Sequence, residues 1–204
     1  MPESSSQVSR LLRDALRSRA GALDRLLDSF RNYLRLLARN GIDASLQGKA
    51  DPSDLVQEVL LKGHQHFDQF RGRTEAELAG WLRQILSNCL ADLVRRYQGT
   101  AARRLARERS LEEMLNASSA AMERLLAREG PSPSESAERR ELGVVLADAL
   151  ADLNADHREV LVLRSLQERD WDEVARRMDR SVGAVRMLWA RALKQLRPLI
   201  EKRL

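Results

Sequence analysis

Apolar residues recur at intervals of three and four along much of the chain, which is the period of a helix with one dry face. Leu23, Leu26, Leu27, Phe30, Leu34 and Leu37 make a first stripe, predicting a helix that ends near Gly41, where a left-handed cap is available. A second helix begins in "ADPSDLVQEVLLKGHQHF". Asp51 suits the N-cap, Pro52 the first helical position, and Asp54 the positive first turn. After the short link "DQFRGRT", Thr74 and Glu77 make a capping box. Leu78, Trp81, Leu82, Ile85, Leu86, Cys89, Leu93 and Tyr97 then carry a stripe through a long third helix. Residues 20–97 are therefore expected to form one helical domain, behind a tail, residues 1–19, with helical potential.

The pattern changes beyond Tyr97. "QGTAARRLARERS" is arginine-rich, "LEEMLNASSAAMERLLAREG" has the makings of charged helices, and "GPSPSESAERRE" is a Pro and Ser linker. Residues 98–140 read as a connector. Periodicity returns at Leu142, Val145, Leu146, Ala149 and Leu153, and again at Val160, Leu161, Leu163 and Leu166. A second, smaller helical domain is expected over residues 141–204. The fold class is all-α: two small helical domains joined by a flexible, partly helical linker.

The last part of that domain predicts a helix-turn-helix. Asp170 and Glu173 form a capping box for a short helix with Val174, Ala175 and Met178 inward. Ser181 caps a second helix whose Val182, Val185, Trp189, Ala192 and Leu196 share one side, leaving Arg186, Arg191, Lys194 and Arg197 outside it. Ala175 is small where two steeply crossed helices must approach, and Val185 is placed to pack against the first helix. Such turns often use Gly for a positive backbone angle; this chain has Asp179, which tolerates that region at a cost. An ordinary helical hairpin with a basic outer face is the alternative. In a major groove, the second helix would present Arg180, Ser181, Ala184, Arg186, Met187, Leu188 and Arg191, with Arg186 best suited to a direct base contact.

Composition agrees and narrows the field. Aromatic residues make up 4% of the chain while Leu, Ala, Arg and Glu dominate, as helices favour. No apolar run approaches the ~18 residues of a membrane span, and "MPESSSQVSR" lacks a signal-peptide core, which predicts a cytoplasmic protein with no membrane partner. Cys89 is the single cysteine, and His64, His66 and His157 show no ligand spacing with it, so neither a metal nor a cofactor is expected. The formal net charge is +5, and residues 171–204 hold nine Lys or Arg against four acids, so the whole surplus lies in the terminal segment. A localised basic excess attracts phosphate backbones, although solvated basic faces are common.

Three segments together resemble a known family. "DPSDLVQEVLLKGHQHFDQFRG", "WLRQILSNCLADLVRRY" and, far downstream, "LNADHREVLVLRSLQERDWDEVARRMDRSVGAVRMLWARALKQLR" are similar, in that order, to regions 2 and 4 of bacterial RNA polymerase sigma factors of the extracytoplasmic-function (ECF) group. "SDLVQEV", "FRG" and "WLRQIL" are the most specific elements. The first segment, with "YLRLLARNGI", is most similar to the subgroup common in planctomycetes. The resemblance implies that Asp54, Leu55, Gln57 and Glu58 dock on the clamp helices of core polymerase; Leu55 and Val59 have a core reading as well. It places Phe70, Arg71, Arg73, Trp81, Arg83, Asn88, Asp92, Arg95 and Arg96 in the segment that captures one strand of the −10 element. Phe67 and Trp81 also read as core, since both fall on apolar faces. It assigns −35 recognition to Arg180, Ser181, Ala184, Arg186, Met187, Leu188, Arg191 and Lys194, and polymerase-flap contacts to region 4.

The function implied is a promoter-specificity subunit with no catalysis of its own, binding core RNA polymerase and promoter DNA, both duplex and melted, with an anti-sigma protein admitted as a further partner. The connector's Arg103, Arg104, Arg107 and Arg109 fit a path beside nucleic acid or a solvated charged helix equally. A stand-alone helix-turn-helix regulator, binding duplex DNA as a dimer, is the competing reading. An enzyme has little behind it: there is no phosphate loop and no Ser/His/Asp pattern, and acid pairs such as Glu112 with Glu113 read as solvated surface.

Overall fold

The first apolar stripe is split between two helices. In the computed structural model, which describes residues 3–41, 51–98, 113–118, 120–121, 124–125 and 136–203, the stripe breaks at Phe30. The Phe30 N–H donates to the Leu27 carbonyl at 3.1 Å, three residues back instead of four. That tightening separates α2 (Ala22–Ser29) from α3 (Arg31–Gly41) and turns the fully buried Phe30 ring edge-on to Tyr33, 6.3 Å between centroids. Gly41 does not form the expected left-handed cap. It is the last residue of α3, with φ outside the left-handed region, and a Cβ there would meet Leu90 Cδ1 at 2.7 Å, so close packing is what it provides.

α4 (Pro52–Gln65) starts as expected, with the Asp51 carboxylate accepting from the Ser53 N–H at 2.7 Å. α5 (Glu75–Gln98) is opened by the full capping box: the Glu77 N–H donates to Thr74 Oγ1 at 3.2 Å and the Thr74 N–H to Glu77 Oε2 at 2.9 Å. The Arg73 N–H, at 2.8 Å, and the Thr74 hydroxyl, at 2.9 Å, also donate to this carboxylate, and with the Thr74 N–H they hold the Glu77 carboxyl below its ordinary pKa. α2, α3 and α5 surround α4. Leu34, Leu37, Val56, Val59, Leu78, Leu82, Leu86 and Leu90 have no exposed surface. α1 (Glu3–Leu16) buries Val8, Leu12 and Ala15, and the Ser9 hydroxyl donates to the buried Glu75 carboxylate at 2.6 Å. The compact unit runs from Ser6 to Ala117, taking in residues from both sides of the 20–97 span.

The second unit, over Ser118–Leu204, is built around a long carboxy-terminal helix. α6 (Ser136–Ala151) buries Val144, Val145, Leu146, Ala147, Ala149 and Leu150, so its last two turns are dry nearly all round. Its end is capped from outside, since the Arg158 guanidinium donates to the carbonyls of Leu150, Ala151 and Leu153 at 2.7–2.9 Å. α7 (Ala155–Leu161), capped by Asn154, widens into a π-helical turn over Val162–Leu166, closed by Gln167 N–H to Val162 carbonyl at 2.9 Å. α8 (Trp171–Arg177) and α9 (Val182–Glu201) follow, and α9 packs on α6, α7 and α8 through Val185, Ala192, Leu196 and Ile200.

The turn between α8 and α9 uses Asp179 at φ +50°, as anticipated. The Arg180 N–H donates to the Ala175 carbonyl at 3.0 Å and the Asp179 N–H to the Arg176 carbonyl at 3.3 Å, the paired bonds of a helix-ending Schellman motif. Asp170 caps α8 by accepting from the Glu173 N–H (2.7 Å), and Ser181 caps α9 by accepting from the Ala184 N–H (3.2 Å). Ala175 and Val185 are both buried.

The side chains of Tyr97 and Leu142, Glu112, and the connector arginines Arg103, Arg104, Arg107 and Arg109 lie outside the described residues. Among the described residues no helix is long and apolar enough to cross a membrane.

The left-handed turn yields a stability prediction. Asp179→Val puts a β-branched side chain at positive φ and is expected to cost about 1–2 kcal/mol, whereas Asp179→Gly changes stability by less than about 1 kcal/mol, strain relief offsetting chain entropy. Urea unfolding of the purified variants measures both.

Candidate nucleic-acid interface

In the first unit the loop before α5 gathers three aromatic rings. Phe67 and Phe70 stack at 5.7 Å, Trp81 leans on Phe70 at 5.4 Å, and Phe67 meets Trp81 edge-on at 6.4 Å. Burial reverses the expected roles. Phe70, a candidate strand contact, is 6% exposed, while Phe67 and Trp81, which also read as core, are only half-buried. Phe70 is pinned because Gly72 leaves room for it: a Cβ on Gly72 would meet Phe70 Cε2 at 2.7 Å and Glu77 Cβ at 2.8 Å. Arg71 donates to the Asp68 carbonyl at 2.6 Å across the same loop, and the Arg73 side chain is exposed beside it.

From this cluster a polar strip runs along α5. Trp81, Asn88, Asp92 and Arg95 recur at helical spacing on one side; Asn88 and Arg95 are exposed, and Asp92 pairs with Arg95. Arg96 is exposed at the end of the helix. Arg83 does not join them. It lies on another face of α5, where its guanidinium donates to the Tyr33 hydroxyl at 2.8 Å and to the Asn116 side chain at 3.3 Å, a strut to α3.

The exposed face of α4 holds Asp54, Gln57 and Glu58, three of the four expected docking residues. Leu55 is the exception. At 5% exposure it is core, because its helical position turns it with Val59 toward the interior. Leu61 takes its place on the outer face, 58% exposed and one helical turn beyond Gln57. The i, i+3, i+7 spacing of Asp54, Gln57 and Leu61 was the signal available for it in the sequence.

Between α4 and α5, Lys62 is a hub. Its ammonium lies 2.9 Å from Glu58, 3.8 Å from Asp92 and 3.4 Å from Cys89 Sγ, and the bond to Glu58 raises its pKa. Burial pushes the Cys89 thiol up as well, which keeps it protonated and unreactive at neutral pH.

The second unit presents α9. Ala184, Arg186, Met187, Arg191 and Lys194 are exposed opposite the buried Val185, Ala192 and Leu196, and Met187 is 57% exposed. Leu188 is half-buried at the edge of this face. Ser181 has its hydroxyl committed to the cap, and Arg180 is paired with Asp156 at 2.6 Å. No carboxylate pairs with Arg186, Arg191 or Lys194 among the described residues. The Arg186 guanidinium instead lies 5.6 Å from the Trp171 ring centre, and Arg164 lies 4.9 Å from it.

Comparison with known proteins decides what these surfaces belong to. Residues 24–100 match Sigma-70 region 2 and residues 149–198 match Sigma-70 region 4. The ECF RNA polymerase sigma factor BldN of Streptomyces coelicolor is 30% identical over 98% of this chain and 69% of its own length. The chain belongs to the ECF sigma factors. The RNA polymerase sigma factor CarQ of Myxococcus xanthus is 29% identical over 90% of this chain and 94% of its own. The ECF RNA polymerase sigma factor SigE of Mycolicibacterium smegmatis is 27% identical over 74% and 52%.

This sigma factor is a transcription initiation factor, a class of regulatory, non-catalytic subunit, and membership implies binding to core RNA polymerase and promoter DNA. A stand-alone dimeric regulator is not favoured, since it gives the region 2 match no role. The sigma region 2 match contains the aromatic loop and the α4 face, and the region 4 match contains α7, α8 and most of α9.

Two substitutions probe this geometry. Gly72→Ala is expected to displace the Phe70 ring, costing about 1–3 kcal/mol in overpacking, and to reduce promoter melting more than duplex binding, as read by permanganate reactivity of the start region. Asp156→Asn frees Arg180 and removes a negative charge near the α9 amino terminus. Because exposed pairs contribute little, on the order of 1 kcal/mol or less, stability should hold while affinity for −35 duplex rises a few-fold in low-salt binding titrations.

Proposed function

We propose that the chain brings core polymerase to a promoter by three separate surfaces. Asp54, Gln57 and Glu58, with Leu61 as apolar anchor, form the clamp-helix docking face, and Leu55 supports them from within the core. A leucine ringed by acids and an amide combines apolar burial with charge complementarity to a basic partner. Arg71, Arg73, Asn88, Asp92, Arg95 and Arg96 line the path of the captured −10 strand, with Trp81 and Phe67 as half-buried ring faces and Phe70 holding them in place. Single strands bind to such combinations of aromatic faces and cations. Arg83 serves this segment as a strut. The domain scheme follows: a tail over 1–19, region 2 over 20–97, a linker over 98–140 and region 4 over 141–204.

Arg186, Arg191 and Lys194 read the −35 element from α9, with Arg180, Ser181, Ala184, Met187 and Leu188 at the edges. The observation that carries the reading is that these three cations are exposed on one face with no carboxylate partner among the described residues. Cations already paired must break a bond to meet a phosphate; these need not. Region 4 also contacts the polymerase flap, and a cytoplasmic location and an anti-sigma partner fit the family.

Reconstitution with core polymerase tests the proposal: the chain should direct transcription from a cognate promoter, and a complex that never forms at low salt refutes it. Arg186→Ala with Arg191→Ala should weaken promoter binding and lower its salt slope by about 1 for each phosphate no longer neutralised, leaving core affinity intact. Leu61→Ala with Gln57→Ala should do the reverse, lowering core affinity about tenfold. Normal core binding in that pair removes the docking assignment.

A further inference from the structure

We propose that Trp171 is a positioning residue for −35 recognition, its indole holding the Arg186 guanidinium in the orientation from which it meets the major groove; this rests on the reading of α9 as the −35 reader. Five side chains from three elements meet here. Trp171 stands at the first position of α8, directly after the cap residue Asp170. Trp189, on α9, meets it edge-on with ring centres 5.7 Å apart and planes at 85°. Arg164 and Ser165 come from the π-helical turn, and Arg186 from α9.

Two of the partners around Trp171 are held in place. The Trp189 indole N–H donates to Ser165 Oγ at 3.1 Å, so that ring cannot rotate without losing a partly buried hydrogen bond. The Arg164 guanidinium donates to the Arg169 carbonyl at 2.9 Å and sits 4.9 Å from the Trp171 ring centre. The Trp171 indole is thereby confined by an anchored ring and an anchored cation. Arg186, 5.6 Å from the same ring centre, is the remaining member, and it is exposed.

The kind of contact matters as much as its presence. A carboxylate partner would orient an arginine by consuming its N–H donors, as Asp156 does to Arg180. An aromatic ring attracts the cation through its π face and takes none of the five in-plane donors, which stay free for a guanine edge or a phosphate. Holding a long side chain in advance also reduces the rotamer entropy lost when it binds. The π turn has a part in this: by widening the helix end, it accompanies the presentation of Arg164 and Ser165 toward α8 and α9, and such turns recur at functional sites.

A double-mutant cycle in the reconstituted holoenzyme, titrated against promoters carrying each single-base change in the −35 element, tests the proposal. Trp171→Leu should lower discrimination at the Arg186-dependent position about three- to tenfold, toward the Arg186→Ala level, with core polymerase affinity unchanged. In the Arg186→Ala background the same substitution should change nothing further. Trp171→Phe, which keeps a weaker aromatic face, should lie between, and it carries the same cycle should Trp171→Leu lose its helical circular dichroism. Undiminished discrimination in Trp171→Leu or Trp171→Phe, or an equal loss in the Arg186→Ala background, overturns the positioning role. An unchanged −35 preference in Arg186→Ala alone overturns the reading of Arg186 and this proposal with it, and is told apart because Trp171 is untouched.

Discussion

Desolvation of a single stripe along each of two long helices orders the rest of the two units. α5 buries Leu78, Leu82, Leu86, Cys89 and Leu90; α9 buries Val185, Ala192, Leu196 and Ile200. Each fully buried aliphatic side chain contributes about 1.5–3 kcal/mol relative to exposure, so rotating either helix by one residue would forfeit that helix's share of the core. The opposite faces are therefore fixed without being packed. That is how Asn88 and Arg95, or Arg186 and Lys194, come to point outward in a set direction.

Charge is divided along the same lines. Some arginines are spent on the fold: Arg83 holds Tyr33, Arg158 caps α6, and Arg203 holds Asp152. Others are paired on the surface, as Arg180 is with Asp156 and Arg177 with Glu173 at 3.0 Å. Arg186, Arg191 and Lys194 on α9 belong to neither group, since no carboxylate pairs with them among the described residues. A net charge of +5 says little about where a polyanion would bind; the division of cations into committed and uncommitted says more.

The sequence is most legible where structure is local. The caps at Asp51, Thr74, Asp170 and Ser181, the turn at Asp179 and the inward Ala175 and Val185 could all be read, because each depends on neighbours within a few residues. What could not be read depends on partners far along the chain. Gly41 is set by Leu90, Arg83 by Tyr33, and the split at Phe30 by how two short helices share α4. The exchange of Leu55 for Leu61 has the same origin. Both are leucines on one amphipathic helix, and only the placement of α2, α3 and α5 around α4 decides which of them is dry. The π turn leaves no periodic trace at all, since Val162, Leu163 and Leu166 are buried either way.

Both candidate DNA-facing surfaces also place aromatic rings at the border between the dry stripe and the charged face. Phe67 and Trp81 are half-buried beside Arg71 and Arg73, and Trp171 and Trp189 are half-buried beside Arg164 and Arg186. A ring at that border suits both neighbours, since its apolar area completes the core while its π face receives a cation without taking its donors. α8, at seven residues, is too short to be stable alone and relies on its cap, its Schellman turn and this border cluster for orientation. The consequence is a separation of tasks. Arg186 and its aromatic seat can change together and alter what is read, while Val185, Ala192 and Leu196 continue to hold the helix.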